Sequence, residues 1–118
     1  MTEYLLLFRN ASAANNYLAT TEDMAEDMPR WQSWIGNIAM QGKLVTTAPI
    51  LYDASIIKSG GVIKGQPHKE ANSVLVSGFL ICKAESIEEA EEWSQSCPIL
   101  KYPESSVEVR PLVPFPTN

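Results

Sequence analysis

The single histidine of the chain stands in a short polar segment between two apolar runs that could form strands. This segment, GVIKGQPHKEAN, spans residues 61–72 and places His68 two residues before Glu70. An imidazole with its ordinary pKa of about 6.5 can exchange a proton at neutral pH, and a carboxylate such as Glu70 or Asp53 could orient it. His68 and Glu70 are therefore the candidate catalytic residues. The alternative is that the imidazole is only a flat, partly buried loop residue.

Other residues could line a cleft for a small organic or anionic ligand. Arg9 ends a strand rich in leucine, where a guanidinium needs an acceptor: a ligand, or a carboxylate of Glu108, Glu3 or a partner subunit. Trp34 lies off the predicted helical stripe that contains Trp31, so it could line the cleft or cover a subunit interface, although both rings could instead pack in the core. The predicted ligand-binding residues are Arg9, Trp34, Tyr52 and Ser77.

Neither a metal site nor a cofactor is predicted. One histidine and two cysteines, Cys82 and Cys97, lack the number and spacing of zinc ligands. Cys82 also lies in an apolar strand, where a nucleophilic thiolate would be disfavoured. No glycine-rich phosphate-binding pattern occurs in the sequence.

The composition restricts the class of protein and its partners. The chain has 118 residues, 45% of them hydrophobic and 19% charged, which predicts a single globular domain over residues 1–118. A net charge of −5 disfavours nucleic acid and anionic membranes as partners. The start, MTEYLLLFRN, does not resemble a signal peptide, and no apolar run reaches the roughly 18 residues of a spanning helix. We therefore expect a cytoplasmic protein with reduced thiols.

Hydrophobic periodicity predicts the element order β-α-β-(β)-β-α-β. The runs at residues 3–9 and 73–84 are apolar on both faces, which is typical of central strands covered on both sides. A first helix over residues 20–42 contains Pro29, which predicts a kink or two shorter helices. A second helix begins at the capping box formed by Ser86 and Glu89.

This order predicts an α+β, ferredoxin-like sandwich with an antiparallel sheet and both helices on one face. The other face of the sheet would then be apolar and uncovered. A second copy of the chain is the expected cover, because a symmetric dimer buries the same patch on both partners. The predicted partner is therefore a second copy, bound through the sheet face.

Four segments, taken in order, closely resemble the YCII-related family and its DGPF-type branch: EYLLLFR, RWQSWIGNIAMQGKL, VSGFLICKAESIEEAEEWSQSCP and VEVRP. The resemblance covers nearly the whole chain and implies a ferredoxin-like fold assembled as a dimeric α/β barrel. The branch is named for an Asp-Gly-Pro-Phe stretch followed by a glutamate. Pro67 and Glu70 agree with this pattern, whereas Gly65, Gln66 and His68 replace the Asp, Gly and Phe. In related members a histidine and an acidic residue have been suggested as catalytic, but His68 stands at the aromatic position.

Three functions are compatible with these observations. The first is a small dimeric protein that binds an organic or anionic molecule in a cleft between the sheet and the first helix. The second is a lyase- or isomerase-type enzyme that uses His68 with a nearby carboxylate. The third is a protein-interaction module. The binding protein is preferred, because the acid that names the motif is replaced by Gly65.

Overall fold

The computed structural model describes residues 1–10, 21–50, 53–67 and 75–115. The elements are β1 (Thr2–Asn10), α1 (Thr21–Met40), β2 (Leu44–Pro49), β3 (Asp53–Lys58), β4 (Gly61–Pro67), β5 (Leu75–Ala84), α2 (Ile87–Ser94), a 3₁₀ turn (Pro98–Lys101) and β6 (Ser106–Pro111). The predicted α+β class and the order of the main elements are confirmed.

The main sheet has four strands in the order β2-β5-β1-β6, and every neighbouring pair is antiparallel. The two strands predicted to be central, β1 and β5, are the central pair. The predicted short extended piece between β2 and β5 is a hairpin: β3 and β4 pair with each other and form a separate two-stranded sheet. Gly60, in the turn between them, has φ of 97°, which a residue with a Cβ rarely adopts.

Alternate side chains of the central strands form one hydrophobic core with the two helices. In β1 every second residue from Tyr4 to Asn10 is buried, and the residues between them are only half-buried. The helices pack on this side of the sheet. The buried apolar residues of this core are Tyr4, Leu6, Phe8, Trp34, Ile38, Leu80, Cys82, Ala84, Ala90, Cys97 and Ile99.

Helix α1 runs without interruption from Thr21 to Met40, with Pro29 inside it, so the prediction of two shorter helices is wrong. A proline inside a helix costs about 3 kcal/mol. Contacts on both sides of Pro29 offset this cost. Asp27 accepts hydrogen bonds from Lys101 Nζ at 2.7 Å and from the Tyr102 hydroxyl, while Trp34 is buried in the core.

The Asp27 carboxylate is a charged group that is buried but well satisfied. Burial by itself raises the pKa of Asp27, but the hydrogen bonds from Lys101 and Tyr102 outweigh it, so the pKa lies below its usual value. The ionised form is therefore the one that joins α1 to the 3₁₀ turn. A similar pair, Lys43 and Glu89 at 2.8 Å, joins β2 to α2, and the predicted capping hydroxyl of Ser86 accepts from the Glu89 amide.

No helix in the described part of the chain is long and apolar enough to cross a membrane.

Candidate functional site

The face of the sheet opposite the helices, here called the open face, is apolar at its centre. Leu5 and Leu7 of β1 alternate with the core residues and are half-buried. Their register partners on β5 are Ile81 and Phe79, which are also half-buried. Because side chains that pair in register lie on the same face, these four form one apolar surface. Neither α1 nor α2 covers it, since both pack on the core side.

A β-bulge interrupts the pairing of β1 with β5 at one end of this surface. Phe8 pairs with Gly78 and Arg9 with Val76, so Ser77 is an extra residue on β5. The Ser77 hydroxyl donates a hydrogen bond to the Phe8 carbonyl oxygen at 3.2 Å. A bulge bends its strand and redirects the neighbouring side chains, and bulges are common beside functional sites. Two predicted ligand-binding residues, Arg9 and Ser77, therefore meet at one irregularity of the sheet.

Arg9 lies on the open face and is paired with an acid from β6. Its Nη2 is 3.3 Å from Glu108 Oε1, and its side chain is 16% exposed. Glu108 is the register partner of Leu7, which places this ion pair on the Leu7 side of the sheet. Of the partners predicted for Arg9, Glu108 is confirmed.

Glu108 forms ion pairs with two guanidinium groups, those of Arg9 and Arg110. The hydrogen bond from Arg110 and the charge of Arg9 lower the pKa of Glu108. The Glu108 carboxylate is therefore ionised at neutral pH and lies between the two guanidinium groups. Arg110 is far more accessible, with a side chain that is 68% exposed. From the sequence, Glu108 was predicted only as one of several possible partners of Arg9. The register of β6 against β1 determines the face of the sheet on which Glu108 lies, and this register could not be known from the sequence.

Trp34 lies on the other face of the sheet, in the core. Its ring packs edge-to-face against Phe8, with centroids 5.8 Å apart, and its Nε1 donates to the Trp93 carbonyl oxygen at 2.9 Å. Only 7% of the residue is exposed. Arg9 and Trp34 are thus separated by the sheet, and a single cleft between the sheet and α1 could not be lined by both.

Three predicted site residues, Tyr52, His68 and Glu70, lie outside the described residues. The backbone next to His68 is described, because Pro67 ends β4 and pairs in register with Asp53. Asp53, the second carboxylate considered as a partner for His68, is thus the register partner of the residue that precedes it.

The two cysteines are buried and do not supply a thiolate. Burial raises the pKa of Cys82 to about 11 and that of Cys97 to about 12. Both thiols therefore stay protonated at neutral pH. No group of three or more histidine, cysteine or acidic residues within the described ranges is arranged to hold a metal ion.

A second concave surface, not predicted from the sequence, lies between α1 and the 3₁₀ turn. It is a shallow groove of about 590 Å³, and Trp34 and Cys97 are among its lining residues. Its polar rim includes Arg30 and Lys101. The charge of Lys101 is already balanced by Asp27 at 2.7 Å. The Lys101 side chain is also 35% exposed, against 16% for Arg9, so water screens its charge more strongly.

Comparison with known proteins gives a family and a fold. The sequence pattern of the YCII-related domain matches residues 3–116. Among solved structures, the chain is similar to 5-chloro-2-hydroxyhydroquinone dehydrochlorinase (TftG) from Burkholderia phenoliruptrix AC1100 in complex with 2,5-dihydroxybenzoquinone. The TM-score is 0.51 over 90% of each chain, at 15% sequence identity, and this similarity shows the fold alone. No curated protein matches the sequence.

Proposed function

The chain belongs to the YCII-related domain family, and we propose that it binds a small organic anion on the open face of its sheet. The observation that carries the proposal is the Arg9 guanidinium, which is mostly shielded from water at the end of an apolar surface. A cation in such surroundings attracts an anion more strongly than an exposed one does, because water screens it less.

The ligand suited to this surface has a flat apolar body and an acidic oxygen at one end. Leu7 and Phe79, which are register partners, offer an apolar patch for the body. Arg9 offers a planar donor group that matches a carboxylate or an ionised enol. Ser77, at the bulge, has a hydroxyl that can also accept a hydrogen bond. The quinone bound by the dehydrochlorinase in its solved complex shares the flat ring and the acidic oxygens, although it has an acidic hydroxyl group on each side of the ring.

The binding form in this proposal is a homodimer of the dimeric α/β-barrel type, within the DGPF-type branch of the family and located in the cytoplasm. The apolar surface formed by Leu5, Leu7, Phe79 and Ile81 supports the dimer, since contiguous apolar patches on soluble proteins mark interaction sites. A second copy on this surface would enclose the bulge, so that the ligand body lies between the Leu7–Phe79 pair of one protomer and the facing sheet of its partner.

Arg9→Met is expected to weaken ligand binding by about 10- to 100-fold, because a hydrogen bond to a charged group contributes about 1.5–3 kcal/mol. The probe is 2,5-dihydroxybenzoquinone, whose acidic hydroxyl groups make it an anion at neutral pH. Binding is measured by calorimetry and by the rise of the melting temperature. At about a hundredfold excess over Kd the probe should add about 2.7 kcal/mol to stability.

Arg110→Met is the matched control, since it removes a guanidinium that also pairs with Glu108 but is 68% exposed. It should change probe affinity by less than about threefold, because exposed ion pairs contribute little. Equal losses of probe affinity in the two variants would mean that Arg9 acts only through the overall positive charge and does not bind the probe directly. Failure of the unaltered protein to bind the probe would remove the support for a quinone-like ligand.

A lyase is the second candidate, because the similar fold with a bound quinone belongs to a dehydrochlorinase. In this alternative His68 acts as the base, with Glu70 or Asp53 as its partner. The unaltered protein should then release chloride from 5-chloro-2-hydroxyhydroquinone, and His68→Asn should lower that rate by about 100-fold or more while probe affinity stays the same. No chloride release by the unaltered protein, or equal rates in both proteins, would reject the role of His68.

A further inference from the structure

The β3–β4 hairpin, residues Asp53–Pro67 and here called the arm, carries exposed apolar side chains. Ile57 and Val62 are register partners and therefore lie on the same face of the arm. They are 76% and 52% exposed. The strands of the arm form a sheet of their own and do not extend the main sheet. This places a cross-strand apolar pair in water.

We infer that the arm packs this apolar pair on a second copy of the chain, so that each protomer of the proposed homodimer holds its partner with an arm. A two-stranded hairpin by itself is marginally stable in water and requires packing against another element. The exposed pair of Ile57 and Val62 indicates the surface on which that packing occurs. The inference rests on the dimer proposed above and adds to it the element that secures the partner.

The size of the open face supports this role for the arm. Its four strands have six to ten residues each. With strands about 4.8 Å apart and a rise of about 3.3 Å per residue, one face presents roughly 500 Å². Two such faces bury roughly 1,000 Å², whereas stable interfaces bury about 1,200–2,000 Å². Two symmetric arms would add contacts beyond the sheet and bring the interface into that range.

The charge of the arm also fits a second copy of this chain. Lys58 and Lys64 are exposed on the arm and outnumber its one acid, Asp53, whereas the chain as a whole has a net charge of −5. A basic arm is therefore attracted to the acidic body of a partner. The same lysines would repel a basic partner such as a nucleic-acid-binding protein.

Ile57→Lys and Val62→Lys test the inference through the dimer dissociation constant, measured by sedimentation over a range of protein concentrations. Each variant should raise the constant at least about tenfold, as truncation of a buried apolar anchor does. The added lysine makes the net charge less negative, so electrostatic repulsion between protomers would fall and could not explain a weaker dimer. Because both residues are largely exposed in one chain, circular dichroism should show an unchanged fold.

Met40→Lys is the matched control, since Met40 is 87% exposed at the end of α1 and receives the same change of charge. It should leave the dissociation constant within about twofold. If the arm variants have the same dissociation constant as the unaltered protein, the arm is not part of the interface. The proposed dimer would not be contradicted by that result. A monomeric unaltered protein would overturn both the arm and the dimer, while binding of the probe at Arg9 remains a separate measurement.

Discussion

Leu6→Ala is expected to lower the free energy of unfolding by about 3–5 kcal/mol, because Leu6 is fully buried at the centre of the core. Leu7→Ala removes the same atoms one residue later in β1. Leu7 points to the open face, where its partner is Phe79, and it is only half-buried in one chain. In dilute protein, where a dimer dissociates, Leu7→Ala should therefore cost less than about half as much as Leu6→Ala.

Urea unfolding of both variants at two protein concentrations, about a hundredfold apart, separates the two faces of the sheet. Unfolding of a dimer depends on protein concentration by mass action, whereas unfolding of a monomer does not. Leu6→Ala should be destabilised at both concentrations. Leu7→Ala should lose part of the concentration dependence of the unaltered protein. Equal costs for both variants in dilute protein would mean that a single chain already covers the open face.

The two central strands could be predicted from the sequence, because the pattern of apolar residues that indicates them lies within each strand. Residues 3–9 and 73–84 are apolar on both faces, and few arrangements other than a central position accept such a strand. The central position of β1 and β5 in the sheet follows from this pattern. The position of Arg9 could not be predicted in the same way. Its surroundings depend on the bulge at Ser77 and on the register of β6, both of which are set by pairing between distant segments.

The face that α1 turns to the core was predicted only in part: Ile38 of the predicted stripe is buried, and Trp31 and Ile35 pack against the core at its edge. The apolar spacing of Met28, Trp31 and Ile35 predicts a stripe on which Trp34 does not lie. The structure instead buries Trp34 fully and leaves Trp31 half-buried, with Met28 46% exposed. The reason is Asp27, a charged residue that a hydrophobic pattern assigns to the surface.

Asp27 is only 6% exposed, because Lys101 and Tyr102, more than seventy residues later in the chain, bind its carboxylate. The buried stripe of α1 thus comprises Asp27, Trp34 and Ile38, with Trp31 at its edge. A polar group can occupy a buried position of this kind when it is ionised and fully hydrogen-bonded. The sequence of the helix alone contains no sign of those partners, so the rotation of α1 could not be read from it.

Trp34→Ala is accordingly expected to lower the free energy of unfolding by about 3–5 kcal/mol, and Trp31→Ala by less than about half of that. Trp34 loses a buried indole, its hydrogen bond to the Trp93 carbonyl and its edge-to-face contact with Phe8. Trp31 loses its contacts with Phe8 and Trp34, at centroid distances of 5.0 and 5.8 Å, but its ring is one that water already reaches.

The two tryptophans lie in the same helix and receive the same substitution. Helix propensity therefore changes by the same amount in both variants, and the comparison isolates burial. Chemical denaturation followed by circular dichroism measures both free energies, since each variant retains other tryptophans and fluorescence would be harder to compare. A larger cost for Trp31 than for Trp34 would mean that α1 turns its apolar stripe to the core, as its spacing predicts. The opposite order would establish that α1 turns Trp34 to the core, on the same side as the buried Asp27.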